Sequence, residues 1–282
     1  MVEPLSHDSL TPPLKRIDLP KLVQHQRDDA KRLDARISKA LQPRIDEHLR
    51  TYALALDEVE HAHQAIADQL DFDLKGETQW AAMWQVAGRC IGFARALLVL
   101  AHGDFGDEGL PTARSMHEAN RMLQALADPD ELDLVQRWLE DHDKRYVHAS
   151  DAREAVDRIE ARLNTAIEAA GHEPVPTTLS LTRQLYHRMS LVAHIRRQAI
   201  EMVVSSTLRR MSRGRHPDPI GRAIAVESHG RVIQETVATV GDSFGRFYGP
   251  SYYEDHLWPL LASFDAVRNS APLDPKALRG MR

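Results

Sequence analysis

From Pro20 onward a row of apolar side chains recurs every three or four residues: Leu33, Ile37, Leu41, Ile45, Leu49, Tyr52, Leu56, Val59, His63, Ile66 and Leu70. That step keeps a side chain on one side of an α-helix, whereas a strand needs alternation every second residue. No stretch alternates in that way, no Asn-Gly hairpin signal occurs, and no unit of 20 to 50 residues repeats. The chain is therefore expected to be all-α, opening with one long amphipathic segment. Pro43 falls inside that segment, and because proline lacks a backbone donor and crowds the preceding turn, a kink or break is expected near Gln42. A stripe this long also suits a protein partner, through a coiled-coil-like contact of the N-terminal segment.

The same periodicity continues. Thr78 can cap a second helix running to about His102, stopped by Gly103, and its apolar character from Trp80 to Ala101 marks it as the central buried helix. Gly88 and Gly92, four apart on it, would let a neighbouring backbone approach. A helix from about Leu110 to Ala127 follows. Asp128-Pro129-Asp130-Glu131 then has the form of a helix start, and the helical pattern continues toward Ala170 with a break near Ser150-Asp151. Gly171 to Pro176 is the clearest internal loop. Three more helical patterns cover about Leu179 to Arg213, Ile220 to Phe247 and Tyr252 to Asn269. The expectation is a bundle of seven to nine helices, mostly antiparallel because their connections are short. It forms a single domain over residues 20–271, made of the segment 20–75, a core 78–213 and C-terminal helices 219–271. Residues 1–19 are an irregular lead-in and 272–282 a frayed tail.

Composition narrows the function classes. With 282 residues and 43% hydrophobic content the chain can bury a real core. Its 36 basic and 41 acidic residues leave a net charge of −5, so the whole surface is not built to hold nucleic acid, although a local basic patch is compatible. One cysteine, Cys90, excludes an internal disulfide framework and a multi-cysteine zinc site. The N-terminus has no export signal, and the most apolar stretch, Ile91 to Ala101, is interrupted by Arg95 and short of a membrane span. A cytoplasmic protein with no membrane contact is expected. A Gly-rich phosphate loop, a Gly-x-Ser-x-Gly elbow and a His-Glu-x-x-His motif are all missing, so neither cofactor nor metal is expected. The spacings Glu58 to His61 and Glu60 to His63 match half of a carboxylate-bridged metal site, but the other half, a second Glu-x-x-His helix, is missing. His63 is expected to be a hydrogen-bonded helix histidine.

Two constellations hold chemistry. Tyr186, Ser190 and His194 fall within an arc of about 80° on one helix, presenting phenol, hydroxyl and imidazole along a ridge. Arg114 and Glu118 lie one turn apart on another helix. If the two helices meet, Glu118 can orient His194 and Arg114 can hold an anion. The same groups can equally form an internal polar network that fixes helix register. Arg209, Arg210, Arg213 and Arg215, with Arg196 and Arg197 upstream, form the richest basic run, suited either to phosphates or to a solvated helix end. Phe244, Phe247, Tyr248, Tyr252, Tyr253 and Trp258 cluster around Gly249-Pro250, where they can seat the last helix or stack on bases.

An Arg-x-x-x-Glu helix (Arg114, Glu118), then Trp138, then Tyr-x-x-x-Ser-x-x-x-His (Tyr186, Ser190, His194) resembles a family of uncharacterised bacterial all-helical proteins. That family is similar to the HEPN superfamily, the higher eukaryote and prokaryote nucleotide-binding helical domains. The resemblance covers roughly residues 85–200. It implies a HEPN-like core, RNA as substrate, metal-independent cleavage in stress response or phage defence, and an active site assembled across a homodimer. Members carry an Arg and a His separated by four to six residues, and Arg188 with His194 fits. Chemically, the imidazole exchanges a proton with a ribose 2′-OH or the leaving oxygen while the guanidinium offsets charge on the phosphorane-like transition state. Met189 departs from the pattern, since a polar residue usually follows the Arg. The chain's 29 arginines and 15 histidines generate the same spacing elsewhere, as in Arg137 with His142 and Arg210 with His216. The alternative is a non-catalytic helical interaction protein working through its N-terminal segment.

Overall fold

A computed structural model describes residues 19–69, 79–103, 109–140, 147–173, 219–273 and 278. Among these residues the architecture is all-helical, without a strand. The helices are α1 (Leu19–Gln69), α2 (Gln79–His102), α3 (Gly109–Ala127), α4 (Leu132–Leu139), α5 (Ala149–Ala169), α6 (Pro219–Tyr248) and α7 (Trp258–Ser270). One helical turn, Pro250–Tyr252, and a π-turn, Tyr253–Leu257, join α6 to α7.

Helix α2 is apolar on most faces because it packs against α1, α3 and α6 together. Ala87, Cys90, Ala94 and Leu97 on it are completely sealed. Burial pushes the Cys90 thiol well above its ordinary range, so it behaves as a small hydrophobe. Among the described helices α2 alone has the length and mean hydropathy to cross a membrane, 1.3 over its most apolar window. The helix runs over nearly the span expected from Thr78 to His102, and its apolar stretch is longer than the Ile91 to Ala101 run. Of its two arginines, Arg89 lies over the Phe93 ring and Arg95 reaches sideways to Asp57 and Glu60 of α1, at 2.6 Å from the latter.

Helix α1 keeps the described part of the stripe on its inner face, with Leu41, Ile45, Leu49, Leu56 and Val59 sealed; Leu70 lies outside the described residues. Its 51 residues run through Pro43 without a break. The chain stays helical at this position for a local reason. Pro43 and Lys39, whose carbonyl loses its partner, are both exposed, so water can take over that hydrogen bond while Leu41 and Ile45 hold the inner face. His63 is indeed a hydrogen-bonded helix histidine: its Nε2–H donates to the Trp84 carbonyl at 2.9 Å, and the Trp84 indole N–H donates back to the His63 carbonyl at 3.1 Å. Their rings stack 4.7 Å apart. Gly88 lies beneath that stack, where a Cβ would come within 3.2 Å of the imidazole.

The region after α3 corrects the expected helix start. Asp128 does not cap a helix: it accepts from the Asp130 backbone N–H at 2.9 Å, and α4 begins only at Leu132. The acids that look like a capping signal are engaged by α5, with Arg162 at 2.8 Å from Asp128 and Arg158 donating twice to Glu131, at 2.6 and 3.1 Å. These arginines hold the Glu131 carboxyl below its usual range. The break expected near Ser150-Asp151 comes earlier, since α4 ends at Leu139 and α5 starts at Ala149. The chain after Ala271, expected to fray, is held where it is described: Leu273 and Leu278 are buried in the common core.

Helix α6 touches α1 so closely that glycine is required. A Cβ on Gly230 would lie 2.0 Å from the Tyr52 hydroxyl, and Tyr52 is itself stacked on Phe264 at 5.3 Å. Because backbone faces a rigid ring wedged from behind, Gly230→Ala is expected to destabilise the protein by about 3 kcal/mol. Urea denaturation followed by circular dichroism measures this, with Gly92→Ala, which meets open space, as the tolerated control.

Candidate functional site

Of the residues singled out by sequence, Arg114 and Glu118 on α3 lie among the described residues. The Arg114 Nε–H donates to Glu118 Oε1 at 3.0 Å. The side chains keep 23% and 28% of their surface exposed, so solvent and a ligand can reach both. Tyr186, Arg188, Ser190 and His194, and the basic run Arg209, Arg210, Arg213 and Arg215, lie outside the described residues, as does the expected helix over 179–213 and the capping residue Thr78.

Directly beside this pair is a polar cluster that the sequence reading passed over. His117 and Asn120 of α3 face Glu235 and Thr236 of α6, and all four are completely buried. The His117 Nδ1–H donates to Glu235 Oε1 at 2.7 Å. Asn120 donates to the same oxygen at 3.2 Å and to the Thr236 hydroxyl at 2.9 Å, and that hydroxyl donates back to Asn120 Oδ1 at 3.1 Å. A signal existed: His117 and Asn120 occupy the same face as Ala113, Met116 and Leu123, so polar side chains stand at core positions of a helical stripe. Gly109 at the start of α3 leaves room for His229 of α6, whose imidazole would meet a Cβ at 2.7 Å. The rotation of α3 is thereby fixed, and with it the direction in which Arg114 and Glu118 point.

A second buried cluster joins α1, α6 and α7. The His48 Nε2–H donates to the Ala271 carbonyl at 2.8 Å, which leaves Nδ1 to accept the Tyr52 hydroxyl proton at 2.7 Å. This arrangement requires a neutral imidazole. Burial lowers the His48 pKa below its ordinary 6.5 and raises that of Tyr52, so both stay uncharged. Glu227 sits nearby, tied to Arg231 at 3.1 Å and to Arg268 at 3.2 Å. The cluster is enclosed and joins the helices, although Glu227 Oε2 and Arg268 Nη2 make no hydrogen bond within it.

Comparison with protein-family models, with curated proteins and with solved structures finds no match to this chain. The functional reading therefore rests on the residues themselves.

Two outcomes follow from the buried clusters. Glu235→Ala leaves the His117 and Asn120 donors facing an apolar void and is expected to cost about 3 to 5 kcal/mol, whereas Glu235→Gln keeps an acceptor in place and costs less; chemical denaturation of both variants compares them. The second concerns pH. His48 is neutral when folded and takes up a proton near pH 6.5 when unfolded, so the unfolded state binds more protons as pH falls. Stability is complete above about pH 6.5 and is expected to drop by about 1 kcal/mol between pH 7 and 5.5, continuing down to the lowered native pKa. Denaturation midpoints across that range record it.

Proposed function

We propose that this protein is a HEPN-like helical protein that cleaves RNA without a metal ion, as a cytoplasmic homodimer, in stress response or phage defence. The supporting observation is the Arg114–Glu118 pair: two charged side chains, hydrogen-bonded at 3.0 Å and still reachable by solvent, on a helix whose rotation is fixed by a sealed polar cluster. Charged groups held in one orientation on a rigid element suit catalysis better than groups on a mobile one.

In this reading the mostly antiparallel helices form a HEPN-like core in which Glu118 positions His194. His194 takes the proton from a ribose 2′-OH as that oxygen attacks phosphorus, and the bond to the leaving 5′-oxygen breaks. Arg188 and Arg114 offset the charge that builds on the phosphoryl oxygens, and Tyr186 and Ser190 hydrogen-bond the same group. Arg209, Arg210, Arg213 and Arg215 hold the flanking phosphates. The proposal expects purified protein to cleave single-stranded RNA in the presence of EDTA. His194→Ala should abolish cleavage with an unchanged circular dichroism spectrum, and Arg114→Ala should reduce kcat about 100-fold. Absence of cleavage by the unaltered protein, or its persistence in His194→Ala, overturns the assignment.

A second reading, a non-catalytic interaction protein, is favoured by the geometry of α1. At about 1.5 Å per residue this helix spans roughly 77 Å. Among the described side chains its sealed stripe begins at Ile37, while Lys31 ahead of it is 69% exposed. A lower oligomeric mass after removal of residues 1–30, with no cleavage by either form, supports that reading instead.

A further inference from the structure

The turn between α6 and α7 lies over α1 and leaves a groove of about 340 Å³ to which α3 contributes nothing. Its shape follows from backbone events. Gly249, at φ +89°, ends α6 and turns the chain back. The π-turn Tyr253–Leu257 then inserts its side chains between the helices: Tyr253 rests on Gly245 and Leu257 on Gly241, where Cβ atoms would come within 2.3 and 2.4 Å of them. Those two glycines, one turn apart on α6, let the π-turn lie flat on that helix. Of its other side chains, Asp255 and His256, with Tyr252 just before it, line the groove toward α1. Such π-turns widen a helix by one residue and recur at functional sites.

The lining is chemically selective. Tyr248, Tyr252 and His256 stack in succession, with ring centroids 5.3 and 5.5 Å apart, and form a flat wall. Glu58 of α1 and Asp255 of the π-turn contribute carboxylates, His61 and His256 contribute imidazoles, and among the described residues no lysine or arginine lines the groove. His256 stands 3.6 Å from Glu58. Tyr252 is only 8% exposed, yet among the described residues none hydrogen-bonds its hydroxyl, which lines the groove. Burial, aided by Tyr248 and the Glu58 carboxylate, pushes its pKa up to about 12, so the phenol remains neutral.

The two carboxylates and the Tyr252 hydroxyl offer acceptors, and the donors facing them among the described residues are the N–H groups of His61 and His256. A phosphate or carboxylate ligand would meet repulsion, so this is not a place for an RNA backbone. A neutral ligand would leave the carboxylates uncompensated. A cation with several N–H donors answers both needs, and its methylene stem can lie along the ring wall. The volume is at the lower end for small-molecule sites and fits one extended amine.

We infer that this groove binds an organic cation, an alkylammonium or guanidinium group, held by Glu58, Asp255 and the Tyr252 hydroxyl. The cation can come from a free amine or from a Lys or Arg side chain of another protein, and the inference is independent of RNA cleavage. Isothermal titration of the full-length protein tests it, with agmatine as the free cation, an acetylated and amidated Gly-Arg-Gly peptide as the side-chain form, and 1,4-butanediol as the uncharged control. Saturable one-to-one binding is expected for a cation and none for butanediol. Glu58→Gln and Asp255→Asn should each weaken binding about tenfold, and Tyr252→Phe about threefold, with unchanged circular dichroism. Tighter binding of agmatine identifies a free-amine site, and tighter binding of the peptide a protein-docking site. Absence of saturable binding by either cation up to about 10 mM, equal binding of butanediol, or undiminished binding in the Glu58→Gln/Asp255→Asn double variant overturns the inference.

Discussion

The hydrogen bond from His117 to Glu235, completely buried and 2.7 Å long, is the contact on which the arrangement of this bundle depends. Apolar helix faces pack almost equally well in several registers, because burial of hydrocarbon has no direction. A buried imidazole, carboxylate, amide and hydroxyl have direction. Sliding α3 along α6 by one turn would leave each of them unpaired, at a cost of about 1 to 3 kcal/mol per group. The Asn120–Thr236 exchange, with both side chains donating and accepting, tightens the same choice. Everything placed on α3, including the exposed Arg114–Glu118 pair, takes its direction from that register.

Elsewhere the fit is set by volume. On the long face of α6, Gly230 receives Tyr52, Gly241 receives Leu257 and Gly245 receives Tyr253. Each missing Cβ admits a large side chain from another element, so along one face α6 docks α1 at Gly230 and the π-turn at Gly241 and Gly245. The same device on α2, where Gly88 lies under His63, brings α1 and α2 together around a pair of reciprocal hydrogen bonds. Close packing of this kind leaves few cavities. The groove beside Tyr252 exists because the π-turn breaks the regular helix at that point.

Much of the fold was legible. The three-to-four-residue stripe of α1, the apolar surround of α2, Gly103 after α2, Gly171 after α5 and the extent of α6 could all be read from local pattern, because each depends on neighbours within a turn or two. The start of α4 was misread because Asp128 and Glu131 answer to Arg162 and Arg158, which are distant in sequence. Pro43 leaves α1 continuous because the side of the helix on which it stands faces water, which local pattern does not state. Of the candidate site, the pairing of Arg114 with Glu118 was visible as a one-turn spacing on a helix, but His117 and Asn120, within the same turns, were not recognised as its foundation. A polar residue on an apolar face shows only that a partner must exist, and it does not name Glu235, more than a hundred residues away.

By itself, then, the sequence determined that this protein is built of helices, where most of them run, and which faces turn inward, since period and capping are local consequences of backbone geometry and side-chain solubility. Tertiary structure alone decided which helix meets which, that Tyr52 stands against Gly230, that His117 finds Glu235, and that Tyr252, Asp255 and Glu58 share one groove. Those decisions depend on shape and on the direction of hydrogen bonds between distant segments, and they carry no period that a linear pattern could display.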